Sequence, residues 1–150
     1  MKKIIAFSLA LLACAATLTG CGVKEASVDD LAAAILNEAE FAEQLNEIDD
    51  SVTLKRYGIS EDMVTEVVSY AGTKAVADEL AIFKAKDTDA VMEKVNEHWD
   101  VQKNSYASYR PDEVPKIDDA FVYKYGDDVI FCVSMDKNKV QKAVFDLTAK

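Results

Sequence analysis

Few side chains in this chain are suited to chemistry. His98 is the sole histidine among 150 residues, next to Trp99 in "NEHWDV". An imidazole acts as a general base only with a nucleophile or an acid within reach. No serine sits in a nucleophile-elbow pattern, so His98 reads as a helix-flank residue making a local hydrogen bond. Cys132 lies in "VIFCVS", an apolar, strand-like run. A thiol becomes a nucleophile when exposed and shifted toward thiolate; this setting points to a buried, inert one. No cysteine pair or neighbouring histidine has redox or zinc spacing. Acidic pairs such as Asp49-Asp50, Glu61-Asp62, Asp118-Asp119 and Asp127-Asp128 offer oxygen ligands of the kind calcium takes. None lies in an EF-hand loop, and adjacent side chains diverge in regular structure. They read as solvated turns. No metal, cofactor or catalytic residue is assigned. The tyrosines are the better candidates: Tyr106 and Tyr109 end a long helix, while Tyr123 and Tyr125 share one strand face. Exposed together they would form a binding patch, since tyrosine combines apolar area with a hydroxyl. Packing at the core or its rim is the alternative.

A third kind of chemistry is written at the start of the chain. Lys2 and Lys3 precede an apolar run from Ile4 to Ala16, the make-up of a secretory signal. The run is too short for a transmembrane helix, which needs about 20 apolar residues. Leu18, Thr19, Gly20 and Cys21 follow: an aliphatic residue, a small one, glycine, then cysteine. This resembles the lipobox of bacterial lipoprotein signals. The resemblance implies a diacylglycerol in thioether linkage to Cys21 and cleavage just before it. Residues 1–20 are then the signal, 21–27 the lipidated cysteine and a short tether, and 28–150 a single domain. Two long acyl chains hold a protein far better than one, at about 0.8 kcal/mol per buried methylene. At ~3.3 Å per extended residue the tether "GVKEAS" reaches roughly 20 Å, which keeps the domain near the bilayer. Cys14 leaves with the signal.

Removing residues 1–20 from the 150 leaves 130 and takes two lysines away, so the formal charge goes from −10 to −12. That length supports a real core without disulfide or metal. The acidity argues against nucleic acid as a partner and against lying flat on anionic lipid. The lipid is the expected membrane contact.

Several elements must place these residues. Ser27 can cap a helix from Val28 into Phe41, with Leu31, Ile35 and Leu36 inward. Val52, Leu54 and Tyr57 suit a helical turn ending at Gly58, and Ser60 can cap another turn through "EDM". "VTEVVSYAG" and "DELAIFKAK" read as strands, with "GTKAVA" ambiguous between them. Asp87 or Thr88 caps the clearest helix, which runs to Tyr109 with Met92, Val95, Trp99, Gln102 and Tyr106 on one face. "RPDEVPK" reads as a loop. "AFVYKYG" and "DVIFCVS" form a hairpin through "YGDD", and Asp136 caps a last helix through Leu147. The expected class is α+β, a four-stranded antiparallel sheet with helices on one face, in the order α-β-β-α-β-β-α.

The stretches "LKRYGIS", "VVSYAGTKAVADELAIFKAKD", "VQKNSYASYRPDE" and "VYKYGDDVIFCVS" resemble, in that order, a bacterial lipoprotein family known as a domain of unknown function, DUF4358. The resemblance spans roughly residues 28–147. It implies a small lipid-anchored protein of Firmicutes, clostridial relatives in particular, and it supplies no catalytic residues. The functional expectation is an exported, lipid-anchored binding or interaction protein on the outer face of the cytoplasmic membrane. Its ligand would be an envelope protein, a peptide or a small solute. The alternative is an envelope hydrolase or metal-assisted enzyme using dispersed carboxylates.

Overall fold

The computed structural model describes residues 26–149; the expected signal, the expected lipobox and Cys21 lie outside them. Ser27 caps helix α1 (Val28–Glu38) through a capping box with Asp30. The helix ends at Glu38, three residues short of the expected Phe41. Strand β1 is only Asn46–Glu47. Asp49 caps α2 (Asp50–Tyr57), which ends where Gly58 takes φ 64°, a conformation glycine adopts without a Cβ penalty. A 3-10 turn at Glu61–Met63, with no side-chain cap from Ser60, leads into β2 (Val64–Ala71). Strand β3 (Glu79–Ala85) follows, then α3 (Thr88–Tyr109), capped by the Asp87 carboxylate. Helix α4 (Val114–Asp118), strands β4 (Phe121–Tyr125) and β5 (Asp128–Val133) and helix α5 (Lys137–Thr148) complete the order.

The class is α+β, but the described chain has five strands where four were expected. All pair antiparallel in the order β1-β2-β3-β5-β4. The extra strand is two residues long, below any periodic signal. The segment "RPDEVPK" corrects a second expectation. It forms a 3-10 turn at Pro111–Glu113 and then α4, not an open loop. Pro111 is the first residue of its turn and Pro115 the second of α4, within the first turn, where the missing N–H costs nothing.

The largest correction concerns layers. Helices cover both faces of the sheet, not one. Phe83, Val129, Phe131 and Val133 pack with Leu54, Tyr57, Val91, Val95 and Ile117 under α2, α3 and α4. Leu80, Ile82, Ile130 and Cys132 pack with Leu31, Ile35, Val140 and Val144 under α1 and α5. The reason lies in β3 and β5, which are buried nearly throughout. Their near-continuous apolar runs are the pattern of strands covered on both sides. Cys132 is buried in the α1/α5 layer, and burial pushes its thiol pKa up.

Two outcomes follow. Ile35→Ala removes a fully buried side chain from the α1/α5 layer and should destabilise the protein by about 3 kcal/mol in urea unfolding. Cys132, followed by peptide mapping, should resist a thiol reagent when the protein is folded and react fully once it is unfolded; rapid native labelling would contradict its placement.

Candidate functional site

The first residue of β3 is a glutamate in a strand that is otherwise mostly apolar. Strand alternation puts Glu79 on the same face as Ala81 and Phe83, beneath α2 and α3. Its side chain is almost completely buried. Oε1 accepts from the Tyr57 hydroxyl at 2.8 Å and from the Arg56 guanidinium at 3.4 Å. Oε2 meets His98 Nε2 at 3.2 Å and accepts from the Gln102 amide at 3.0 Å. Burial pushes the carboxyl pKa up, but hydrogen bonds and charge from His98, Tyr57 and Arg56 outweigh it and hold the group below its ordinary value. Glu79 is therefore ionised, and a carboxylate has no proton to give. His98 Nε2 must carry the hydrogen between them. The imidazole also stacks on Tyr57, with ring centroids 3.9 Å apart. Burial, then Glu79, raise the Tyr57 pKa well above the ordinary phenol value.

The loop before Glu79, residues 72–78, is tied down along its length. Tyr106 Oη donates to Val76 O at 2.5 Å, Gln102 Nε2 to Ala77 O at 3.3 Å, and Tyr109 Oη to Lys74 O at 3.4 Å. Arg110 reaches Ala75 O at 2.5 Å. Acids hold the N–H groups: Glu113 accepts from Ala77 N at 2.7 Å, and Glu43 from Thr73 N. Asp78 accepts from Ala42 N at 3.1 Å and from Lys116 at 2.5 Å, and Lys116 also binds Glu113 at 2.7 Å. For Lys116, burial works against the charge, but its two acid partners raise the pKa. Gly72 permits the close approach: a Cβ there would lie 2.6 Å from Glu43 Oε1 and 2.9 Å from Val76 Cγ2.

Between this loop, α3 and the end of α2 lies an open cleft of about 470 Å³. Glu79, His98 and Gln102 line it on one side. Val101, 67% exposed, and Tyr109, 50% exposed, form an apolar wall along α3. Arg56 and Lys74 bring positive charge.

The four candidate tyrosines do not meet. Tyr106 and Tyr109 pair at 4.9 Å between centroids and line the cleft. Tyr106 is buried, and its pKa is raised by burial first and then by Tyr109. Tyr123 packs instead with Phe121 and Phe145 in the α1/α5 layer, and strand alternation sends Tyr125 to that side too. The sheet separates the two pairs. His98 also departs from expectation: its hydrogen bond is not local but reaches a residue 19 positions away. The acidic pairs are mostly structural. Asp49 caps α2, Asp118 and Asp119 pair with Lys103 and Lys137, and Ser60 holds Asp62 below the ordinary carboxylate range. Asp128 is not in a solvated turn but buried on β5, 3.8 Å from Lys84. Among the described residues no group of three or more His, Cys, Asp or Glu side chains is arranged to hold a metal ion.

Sequence reasoning missed Glu79, Arg56, Tyr57 and Asp78 as a site. The signal available was "ADEL": two charges opening a strand that is apolar thereafter.

The depressed Glu79 and Glu113 pKa values set a pH dependence. Their contribution to stability is present above the unfolded glutamate pKa of about 4.3 and is lost as pH falls through the lower folded values. Glu79→Gln should cost about 3 kcal/mol at neutral pH, with the gap to wild type narrowing as urea unfolding is repeated at lower pH. A gap independent of pH would contradict this.

No curated protein and no solved structure matches the chain. Residues 37–134 match the family model described as Domain of unknown function (DUF4358). That match begins inside α1, ends just past β5, and takes in every residue of the Glu79 cluster. The chain belongs to the DUF4358 family.

Proposed function

We propose that this protein is a lipid-anchored, extracytoplasmic binding module that takes its ligand in the cleft beside Glu79. The cleft is the observation that carries this reading. Its size, about 470 Å³, falls within the range of small-molecule sites, and it suits a small solute or one end of a peptide. Exposed apolar side chains stand over a floor whose polar groups are largely bound to one another. Ligand burial there would release water from Val101 and Tyr109 without breaking the floor.

Binding is favoured over hydrolysis by the state of the acids. Asp78, Glu79 and His98 do converge on one cleft, as an enzyme would require. Yet Glu79 already faces four donors, one for each of its lone-pair sites, and Asp78 holds the Ala42 N–H and the Lys116 ammonium. A general base needs a free lone pair within reach of the proton it removes. These carboxylates work as structural anchors.

The address rests on Leu18, Thr19, Gly20 and Cys21 behind a basic, then apolar, leader. No described helix is long and apolar enough to cross a membrane. An outer-face location on the cytoplasmic membrane follows from the lipoprotein signal alone.

Mass spectrometry of the protein from its native host should find Cys21 as the N-terminal residue, carrying two acyl chains. A chain beginning elsewhere, or an unmodified Cys21, would contradict the anchor. NMR fragment screening of the anchored protein should move signals of Val101, Gln102 and Tyr109 together, and Val101→Asp should remove that response. Shifts confined to another surface would contradict the cleft.

A further inference from the structure

We infer that the cleft selects a monoanionic carboxylate carrying an apolar body, with Arg56 gripping the carboxylate. This rests on the cleft being the binding site and goes on to name the chemistry of what it binds.

The chain is acidic overall, with 27 Asp and Glu against 17 Lys and Arg. The cleft reverses that balance where it meets solvent. Its two acids, Asp78 and Glu79, are buried and face inward partners. Its exposed charges are Arg56 and Lys74, both cationic. Lys74 has no acid partner among the described residues. Arg56 is 38% exposed, and its one polar side-chain contact among the described residues is the 3.4 Å hydrogen bond of one nitrogen to Glu79. A guanidinium carries five N–H donors in a planar fork suited to a carboxylate. Glu79 takes one of them and thereby orients the group. The donors left over belong to a side chain that lines the cleft.

Charge also limits the ligand. One guanidinium partly claimed by Glu79 and one ammonium on a flexible stem match a single negative charge. A dianion such as a phosphate ester would face the buried charges of Glu79 and Asp78 behind them. The apolar part has its own place. Val101 and Tyr109 lie about two helical turns apart along α3 and both line the cleft, with the Tyr106 ring packed at a tilt against Tyr109. A ring or short aliphatic chain would lie along that wall with its carboxylate toward α2.

The test is calorimetric titration of the full-length lipidated protein in nanodiscs of neutral lipid. The probes are 3-phenylpropionate, its neutral amide 3-phenylpropionamide, and phenyl phosphate. The carboxylate should bind about tenfold more tightly than the amide, the value of one good charge-assisted contact, and more tightly than phenyl phosphate. Arg56→Gln should remove that preference, and Val101→Asp should weaken acid and amide alike. Thermal melting checks that Arg56→Gln still folds. If it does not, Lys74→Gln, on an exposed side chain without a partner, should narrow the preference instead. Equal affinity for acid and amide, with both sensitive to Val101→Asp, would overturn the carboxylate inference and leave the cleft as a binding site. Tighter binding of phenyl phosphate would also overturn it. Binding of none of the three, or binding indifferent to Val101→Asp, would overturn the inference and the cleft reading together.

Discussion

The structure turns on one buried carboxylate. Glu79 opens β3, and its two oxygens gather side chains from α2 and α3: Arg56 and Tyr57 from one, His98 and Gln102 from the other. Taking a carboxylate out of water costs several kcal/mol, and hydrogen bonds to a charged group return about 1.5–3 kcal/mol each. The balance is close to even in net stability. What the arrangement secures is geometry. An unpaired buried charge would be so unfavourable that the two helices must sit where their donors reach it. The position of α3 relative to the sheet, and so the width of the cleft, follows from that requirement.

The loop over the cleft obeys the same logic at smaller scale. Residues 72–78 carry backbone groups that no strand or helix satisfies, and buried backbone groups need partners. The C-terminal half of α3 supplies donors from Gln102, Tyr106, Tyr109 and Arg110, and Glu43 and Glu113 supply acceptors. The helix that lines the cleft therefore also fixes the loop facing it. The α1/α5 pair covers the opposite face of the sheet. The family match, which stops short of α5 and includes only the end of α1, follows the same division.

Local features of the chain were legible in its sequence. Ser27, Asp87 and Asp136 cap helices as expected, and such caps depend on neighbours two or three residues away. Gly58 and the turn at Gly126 are local as well, both glycines having positive φ. Long-range facts were not legible. Glu79 meets His98 across 19 positions and Asp78 meets Lys116 across 38, and no period encodes such pairs. The tyrosines show the same limit. Their spacing identified two pairs, yet the sheet between those pairs depends on which layer each strand face covers. The second helical layer could have been inferred, because "LAIF" and "VIFCV" leave no polar side for solvent.

The most direct test of the Glu79 cluster uses the fact that His98 is the only histidine in the chain. A long-range nitrogen–proton NMR spectrum of the uniformly labelled, full-length protein at neutral pH reports one imidazole without ambiguity. The buried Glu79 contact requires a proton on Nε2, slow to exchange with water, and its loss of protection in Glu79→Gln. An unprotonated Nε2, or an Nε2 proton that exchanges as freely as that of a solvent-exposed imidazole, would contradict the buried carboxylate as the organising contact.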